Sequence, residues 1–295
     1  MQNSDTSQRF LLGNSAIRGQ WSLLETSYQT VLAKHDYPLE VQALLGEMMA
    51  AAVLLASTLK FQGSLTIQAR GHGPLHLITV ECTHDYALRA VARWQSDTSG
   101  LDFQTLLGDA ILAITITPNR GERYQGIVPL NGANLAQCLE FYFSQSEQLQ
   151  TRIWLHQGNN RAAGLLLQVL PHNSETRVEP EQLAEDWNRV GTLADTLTAE
   201  ELLNLDSETV LRRLFHEEDV MLFPPETAVF KCTCSRERTA NALERMGLEE
   251  LESILADEGQ VDVTCQFCNQ RYLFDAVDIA MLFQDAGPAD SGSRH

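Results

Sequence analysis

Two short stretches decide how the C-terminal part of this chain folds: Lys231-Cys-Thr-Cys-Ser235 and Cys265-Gln-Phe-Cys268. They place four of the six cysteines in two tight pairs, with 30 residues, 235–264, between the pairs. Four thiolates in two short pairs are typical of a closed tetrahedral zinc site, which leaves no coordination position for catalysis. The sequence therefore predicts one Zn²⁺ ion, bound by Cys232, Cys234, Cys265 and Cys268.

The two pairs have different surroundings. Val261–Thr264 and Arg271–Phe274 are strand-like and place the second pair in a turn, whereas the first pair leads into a helix with Ser235 as a good N-cap. Thiolates at the first pair are favoured by the positive end of that helix. They are also favoured by three basic side chains, those of Lys231, Arg236 and Arg238.

A single residue separates the first pair, whereas zinc ribbons usually use two Cys-x-x-Cys pairs. A disulfide across Cys-x-Cys would close a very small ring, and strained disulfides have more oxidising potentials. Such a pair would stay reduced in the resting cytosol and would oxidise only under stress. The spacing therefore favours a redox sensor over a permanent structural disulfide.

The segment around the four cysteines is too short to be stable without help. A chain of about 55 residues buries too little surface, whereas a zinc site contributes on the order of 10–16 kcal/mol. The stability of a whole domain is only roughly 5–15 kcal/mol. Oxidation of the ligands with loss of the metal is therefore expected to unfold this segment.

The net charge of -18 is concentrated in the middle of the chain. Residues 1–170 carry a net charge of -2, residues 171–230 carry -10 and residues 231–295 carry -6. This balance excludes a large surface for nucleic acid or an anionic membrane, because both need excess positive charge. We predict four regions: an N-terminal core domain (1–175), an acidic, metastable helical linker (176–230), a zinc-binding redox-switch domain (231–286) and a disordered tail (287–295).

The N-terminal region mixes helical and strand patterns, which predicts an α+β domain built on one sheet. Helices are predicted at 37–60 and 133–149, and strands at Ser64–Arg70, Ile111–Thr117 and Arg152–Leu155. Cys82 and Cys138 are interpreted as small core residues, with a secondary redox role as the alternative.

The linker is predicted to form amphipathic helices that lie on the first domain. Thr198 and Glu201 have the spacing of a capping box, and Pro224-Pro225 ends the last apolar stripe. The apolar stripes of these helices are expected to pack against the first domain in one state of the protein and could bind an unfolded client in another. The candidate residues for both roles are Leu183, Trp187, Val190, Leu193, Leu197, Leu211, Leu214 and Phe215.

Residues 1–10 show no basic region followed by an apolar run, so no secretory signal is expected. The longest apolar stretch, Met48–Ala56, is half the ~18 residues that a membrane span needs. A cytoplasmic protein is therefore predicted, in which thiols are kept reduced. Gly-x-Ser-x-Gly, phosphate-loop and paired-carboxylate motifs are absent, and we expect a protein that is not an enzyme.

Five stretches of the sequence form a distinctive set: Phe230-Lys-Cys-Thr-Cys-Ser-Arg-Glu-Arg238, Cys265-Gln-Phe-Cys268 with Tyr272-Leu-Phe274, Ile114-Thr-Ile-Thr-Pro118, Gly121-Glu-Arg-Tyr-Gln-Gly126 and His216-Glu-Glu218. With these motifs the sequence resembles the bacterial thirty-three-kilodalton chaperonin family, the redox-regulated heat-shock holdases, over essentially the whole length.

The resemblance implies an ATP-independent holdase that is inactive when reduced and zinc-bound. Oxidants such as hypochlorous acid, or peroxide with heat, would form the disulfides Cys232–Cys234 and Cys265–Cys268 and release the zinc. The zinc domain and linker would unfold, a homodimer would form, and unfolding clients would be held against aggregation. Clients would later pass to an ATP-driven foldase system of the Hsp70 type.

Two other interpretations remain open at this point. A structural zinc ribbon on a regulatory or nucleic-acid-binding protein is disfavoured by the net charge of -6 in the zinc segment. A thiol–disulfide oxidoreductase is disfavoured because Cys265-x-x-Cys268 does not open a helix after a strand in a βαβ pattern.

Overall fold

The computed structural model describes residues 5–13, 15–57, 62–170 and 179–284. The chain forms two compact units that divide between Lys231 and Cys232. Both units combine helices with strands, so the predicted α+β class is confirmed. The predicted boundary at 175/176 and the predicted disordered tail at 287–295 lie outside the described residues.

The first unit contains two six-stranded sheets. Sheet A has the order β10-β1-β2-β9-β8 with β11 also paired to β1, and sheet B has the order β12-β5-β4-β3-β6-β7. The strands are β1 (Thr6–Leu12), β2 (Ile17–Leu24), β3 (Gly63–Arg70), β4 (Leu75–Thr83), β5 (Ala87–Trp94), β6 (Ile111–Pro118), β7 (Tyr124–Val128), β8 (Thr151–Gly158), β9 (Arg161–Val169), β10 (Val220–Leu222), β11 (Glu226–Thr227) and β12 (Val229–Phe230).

The prediction of a single sheet was wrong. The strand patterns at Ser64–Arg70, Ile111–Thr117 and Arg152–Leu155 do form β3, β6 and β8, but β3 and β6 belong to sheet B whereas β8 belongs to sheet A. Sheet A is completed by strands from distant parts of the chain, since Ile17 of β2 lies opposite Val169 of β9. Such long-range pairing leaves no local pattern in the sequence.

A predominantly apolar helix joins the two sheets. The helices of this unit are α1 (Thr26–Leu32), α2 (Leu39–Ala56), α3 (Phe103–Leu107), α4 (Leu135–Tyr142), α5 (Pro180–Ala194), α6 (Ala199–Asn204) and α7 (Ser207–Leu214). α2 contacts β2, β8 and β9 of sheet A and β3, β4 and β5 of sheet B. It is the one described helix long and apolar enough to cross a membrane, and 72% of it is buried in the core. A helix without a polar face is buried on all sides.

The acidic helices α5 to α7 pack on the other face of sheet A, as the sequence predicts. Alternate residues of β9 explain the two faces: Ala162 and Leu166 face the core with α2, whereas Ala163 and Leu165 face the acidic helices. The capping box at Thr198 is present and begins α6. The predicted helical linker ends in strands, because β10, β11 and β12 pair with β1 and β5.

The predicted helix 133–149 is shorter than expected. α4 ends at Tyr142 and continues as one π-helical turn, Phe143–Glu147, which closes at Gln148 with a φ of 55°. A wider turn of this kind shifts the direction of the side chains that follow it.

The second unit is small. It contains α8 (Arg236–Glu244), α9 (Leu248–Glu258), the antiparallel hairpin of β13 (Val261–Thr264) and β14 (Arg271–Phe274), and α10 (Ala276–Gln284). Among its described residues, the buried apolar cluster comprises Ala240, Leu243, Leu251, Val261, Phe274 and Ile279.

Candidate metal centre

The structure brings the four predicted ligands together within the second unit. Their Sγ atoms all lie within 4.8 Å of one another. The Cys232–Cys265 Sγ distance is 3.7 Å and the Cys234–Cys268 Sγ distance is 3.4 Å. Zinc–thiolate bonds of ~2.3 Å in a tetrahedron require sulfur–sulfur distances of about 3.8 Å. The size and the all-sulfur donor set therefore fit a tetrahedral metal ion.

The hairpin turn positions the second pair. The amide of Cys265 donates to Gln270 O at 2.9 Å, and the amide of Asn269 donates to Cys265 O at 2.8 Å. Asn269 has a φ of 61°, in the left-handed region that asparagine tolerates better than most residues. These bonds fold the chain tightly enough to turn both Sγ atoms to the same side.

The first pair is positioned by the start of α8. Ser235 Oγ accepts a hydrogen bond from the Arg238 amide at 3.1 Å, which confirms the predicted N-cap. The guanidinium of Arg238 donates to the Thr233 carbonyl at 3.0 Å and so places positive charge beside the pair.

Arg236 has a structural role that the sequence did not predict. Its guanidinium donates to Leu273 O at 2.6 Å and to Asp278 at 2.7 Å, and it lies 4.3 Å from the centroid of the Phe274 ring. It thereby fastens α8 to β14 and α10. Its guanidinium also forms an ion pair with Asp278.

Tyr272 is a residue of the site that the sequence analysis did not assign. Its hydroxyl donates to Cys234 Sγ at 3.2 Å. A hydrogen bond to a ligating sulfur orients the ligand and stabilises its negative charge. The available signal was its position in the strand that returns from the Cys265-x-x-Cys268 turn.

The four thiols need a cation to ionise together. Burial acts to raise the pKa of Cys232, but hydrogen bonds from the Cys234 amide and from the other thiols lower that pKa to about 7. The pKa of Cys268 is raised to about 12, first by burial and then by the neighbouring sulfurs. Ionisation of one thiol therefore disfavours ionisation of its neighbours, and a bound divalent cation would offset this repulsion.

The arrangement of the thiols leaves the predicted disulfide pairing open. None of the six cysteines forms a disulfide in the described structure, and the two shortest sulfur distances join Cys232 to Cys265 and Cys234 to Cys268. A tetrahedral site brings every ligand near every other, so the pairing within each short motif stays a prediction.

The surroundings of Cys265-x-x-Cys268 differ from those of a thioredoxin-like site. The motif connects two antiparallel strands, β13 and β14. Thioredoxin-like chemistry uses a Cys-x-x-Cys motif in a βαβ context, where a helix N-terminus lowers the pKa of the first thiol.

The predicted linker residues lie in the first unit. Five are buried in the cluster that joins the acidic helices to sheet A, namely Val190, Leu197, Leu211, Leu214 and Phe215. Trp187 and Leu193 are partly buried and pack against that cluster, whereas Leu183 is half-buried and outside it. Cys82 and Cys138 are fully buried in the core with α2.

Comparison with known proteins identifies the family. The family model described as Hsp33 protein matches residues 5–275. The chain belongs to the Hsp33 family. A 33 kDa chaperonin of Ectopseudomonas mendocina is 54% identical over 99% of this chain and 100% of its own length. A 33 kDa chaperonin of Pseudomonas aeruginosa is 53% identical over the full length of both chains.

A solved structure has the same fold as this Hsp33-family chain. The crystal structure of a 33 kDa chaperonin from Thermotoga maritima aligns with a TM-score of 0.80 and covers 95% of this chain and 98% of its own. Its sequence identity is 20%, so this likeness concerns the fold alone. The family model and the two relatives confirm the family predicted from the sequence motifs.

Proposed function

We propose that this protein is an ATP-independent holdase that binds unfolding proteins and is controlled by oxidation. In the reduced state Cys232, Cys234, Cys265 and Cys268 hold one Zn²⁺ ion and the protein is inactive. Oxidation to the Cys232–Cys234 and Cys265–Cys268 disulfides activates it. It acts in the cytoplasm, dimerises when oxidised, catalyses no reaction, and passes its clients to an Hsp70-type foldase system.

The observation that carries this proposal is the position of the sulfur cluster in a unit with little other core. Among the described residues of the second unit, six buried apolar side chains form the hydrophobic cluster, and six partly buried ones pack against it. A metal site that supplies on the order of 10 kcal/mol outweighs the stability of so small a core. Loss of the metal therefore unfolds the unit.

The oxidation step balances with oxidants of the proposed class. Each disulfide forms from two thiolates, which lose two electrons in total. Hypochlorous acid takes up these electrons and one proton to give chloride and water; hydrogen peroxide takes them up with two protons to give two waters. The two sulfurs of a disulfide carry no negative charge, so they no longer bind the metal ion.

The acidic segment supplies the apolar surface for clients. Its helices bury Val190, Leu211 and Phe215 against sheet A, while residues 171–230 carry a net charge of -10. Self-repulsion opposes the packed state of this segment more than that of its neighbours. When residues 176–230 unfold, both the helix stripes and the face of sheet A that they cover become accessible to an unfolded chain.

The decisive experiment compares reduced and oxidant-treated protein. Aggregation of a thermally unfolding client is followed by light scattering, and released zinc is followed with a chromophoric chelator. We expect zinc release, loss of helical circular dichroism and suppression of aggregation to occur together. Equal suppression by the reduced and oxidised forms would overturn the switch.

Cys265→Ser tests the ligand set. It is expected to abolish stoichiometric zinc binding, whereas the matched variant Cys138→Ser, which changes a buried cysteine of the first unit, retains one zinc per chain. A Cys265→Ser protein that still binds one zinc tightly would contradict the site assignment.

A further inference from the structure

A cavity of about 420 Å³ opens in the first unit between the C-terminal end of α2 and the π-helical turn after α4. This volume is within the range of small-molecule sites. Its apolar walls come from four different elements and the loop after the π-helical turn. They consist mainly of Leu55, Leu65, Ile114, Ile116, Phe143 and Leu149.

The polar groups on one wall of the cavity form hydrogen bonds with one another. The hydroxyls of Tyr124 and Tyr142 donate to Glu147 Oε1 at 2.9 and 2.8 Å and lie 3.1 Å from each other. The π-helical turn brings Glu147 to this position. Because these three groups bond one another, the tyrosines offer a ligand mainly their rings.

Arg18 is the one cationic side chain among the described residues that line this cavity. Its Nε donates to Gln168 Oε1 at 3.1 Å, and its Nη2 donates to the same oxygen. Gln168 is itself fixed, because its Nε2 donates to Thr151 Oγ1 at 2.7 Å and Thr151 in turn donates to Leu149 O at 3.1 Å. This chain of hydrogen bonds holds the guanidinium in one place.

Within the described ranges, the half-buried guanidinium of Arg18 has a neutral amide as its partner and forms no ion pair with a carboxylate. Burial lowers the pKa of Arg18, because the charged form has lost part of its hydration. A buried charge of this kind is stabilised when an opposite charge binds it, and a guanidinium binds a carboxylate with two parallel hydrogen bonds. Two carboxylates, Glu122 and Glu147, also belong to the lining, and both are exposed, so water screens their repulsion of an anion.

We propose that this cavity binds an amphipathic carboxylate of medium chain length, with its alkyl chain between the apolar walls and its carboxylate on Arg18. A neutral ligand of the same shape would leave Arg18 without a counter-charge. A cationic amphiphile would place like charges together. The site lies in the first unit and does not depend on the sulfur cluster or on the proposed holdase activity.

Calorimetric titration of the reduced, zinc-loaded full chain with decanoate, below its micelle concentration, tests the proposal. The comparison ligands are 1-decanol and decyltrimethylammonium, which keep the chain and change the head group. We expect decanoate to bind at a stoichiometry of one and at least tenfold more tightly than decanol. Absence of decanoate binding, or equal affinity for all three, would overturn the proposal.

Arg18→Gln removes the charge while it keeps a group that can donate to Gln168. It is expected to weaken decanoate binding at least tenfold and to leave decanol binding unchanged. The matched control is Arg70→Gln, which changes an exposed arginine on β3 outside the cavity and should leave both affinities unaltered. Equal loss in the two variants would indicate a net-charge effect and overturn the assignment to Arg18.

A second variant locates the alkyl chain independently. Ile116 lies half-buried in the cavity wall, and Ile116→Trp fills the space without changing any charge. Decanoate binding should be lost while the zinc content and the circular dichroism of the reduced protein stay unchanged. Retention of full affinity in this folded variant would place decanoate elsewhere and refute the site.

Discussion

Replacement of Arg189 by methionine is expected to loosen the acidic helices without unfolding the rest of the first unit. Arg189 on α5 contacts Asp186 Oδ1 at 2.8 Å and makes a two-point contact with Glu218, at 2.8 and 3.2 Å. It thereby joins α5 to the loop after α7. The side chains of Asp186 and Glu218 are only 6% and 8% exposed, whereas that of Arg189 is 45% exposed.

The magnitude follows from these exposures. Removal of one partner of a fully buried ion pair costs about 3–5 kcal/mol, because the other charge is left without compensation. The half-exposed guanidinium is partly screened by water, so we expect about 2 kcal/mol. The exchange of amide hydrogens in α5 and α7 should then accelerate about 30-fold, since each 1.36 kcal/mol corresponds to a factor of ten.

Hydrogen exchange with mass spectrometry on the reduced, zinc-loaded protein measures this effect. Arg212→Met is the matched control, because Arg212 is an exposed arginine on α7 and its loss changes the net charge equally. Glu218→Gln combined with Arg189→Met should restore part of the protection, since it removes one of the two stranded charges. Equal effects of Arg189→Met and Arg212→Met, or equal acceleration in α2, would refute the reasoning.

Three further predictions concern single side chains. Tyr272→Phe removes the hydrogen bond to Cys234 and should weaken zinc binding about tenfold in a chelator competition; unchanged affinity would show that the hydroxyl is dispensable. Asp206 caps α7, and its pKa is lowered mainly by the hydrogen bond from the Thr209 amide. The cap therefore stabilises the protein fully above the unfolded-state pKa of about 3.9, and this stabilisation is lost as the pH falls through the lower pKa of the folded state. Asp206→Ala should therefore lower the thermal midpoint at pH 7 but not near pH 2. Gly126→Ala places a methyl group against the Tyr142 hydroxyl and should destabilise the first unit by about 1–3 kcal/mol in urea unfolding, whereas an unchanged midpoint would mean that Tyr142 moves aside freely.

The local chemistry of the sulfur cluster was predictable from the sequence because it depends on short spacings. Cys232 and Cys234 precede a helix with Ser235 as its N-cap, and the second pair lies in a hairpin turn, as the neighbouring residues indicate. The amphipathic helices and the Thr198 capping box were predictable for the same reason, since helical periodicity and caps involve residues three or four positions apart.

The features that were missed depend on contacts between distant residues. The second sheet exists because β2 pairs with β9, and a period-two pattern does not indicate which strand will be the neighbour. The partners of Arg236 are another example: Leu273 and Asp278 are about 40 positions away in the chain, so only the folded hairpin shows that this arginine fastens elements together.

The position of α2 between two sheets has a consequence for synthesis on the ribosome. Sheet B can cover one side of α2 once β7 has emerged, but the strands β8 and β9 of sheet A are made about 100 residues after the helix, which takes roughly 5–20 s at usual elongation rates. During this interval the part of the 18-residue helix that β8 and β9 later cover has no permanent partner. A chain of the Hsp33 family is therefore itself, for several seconds of its life, a nascent protein that is prone to aggregate.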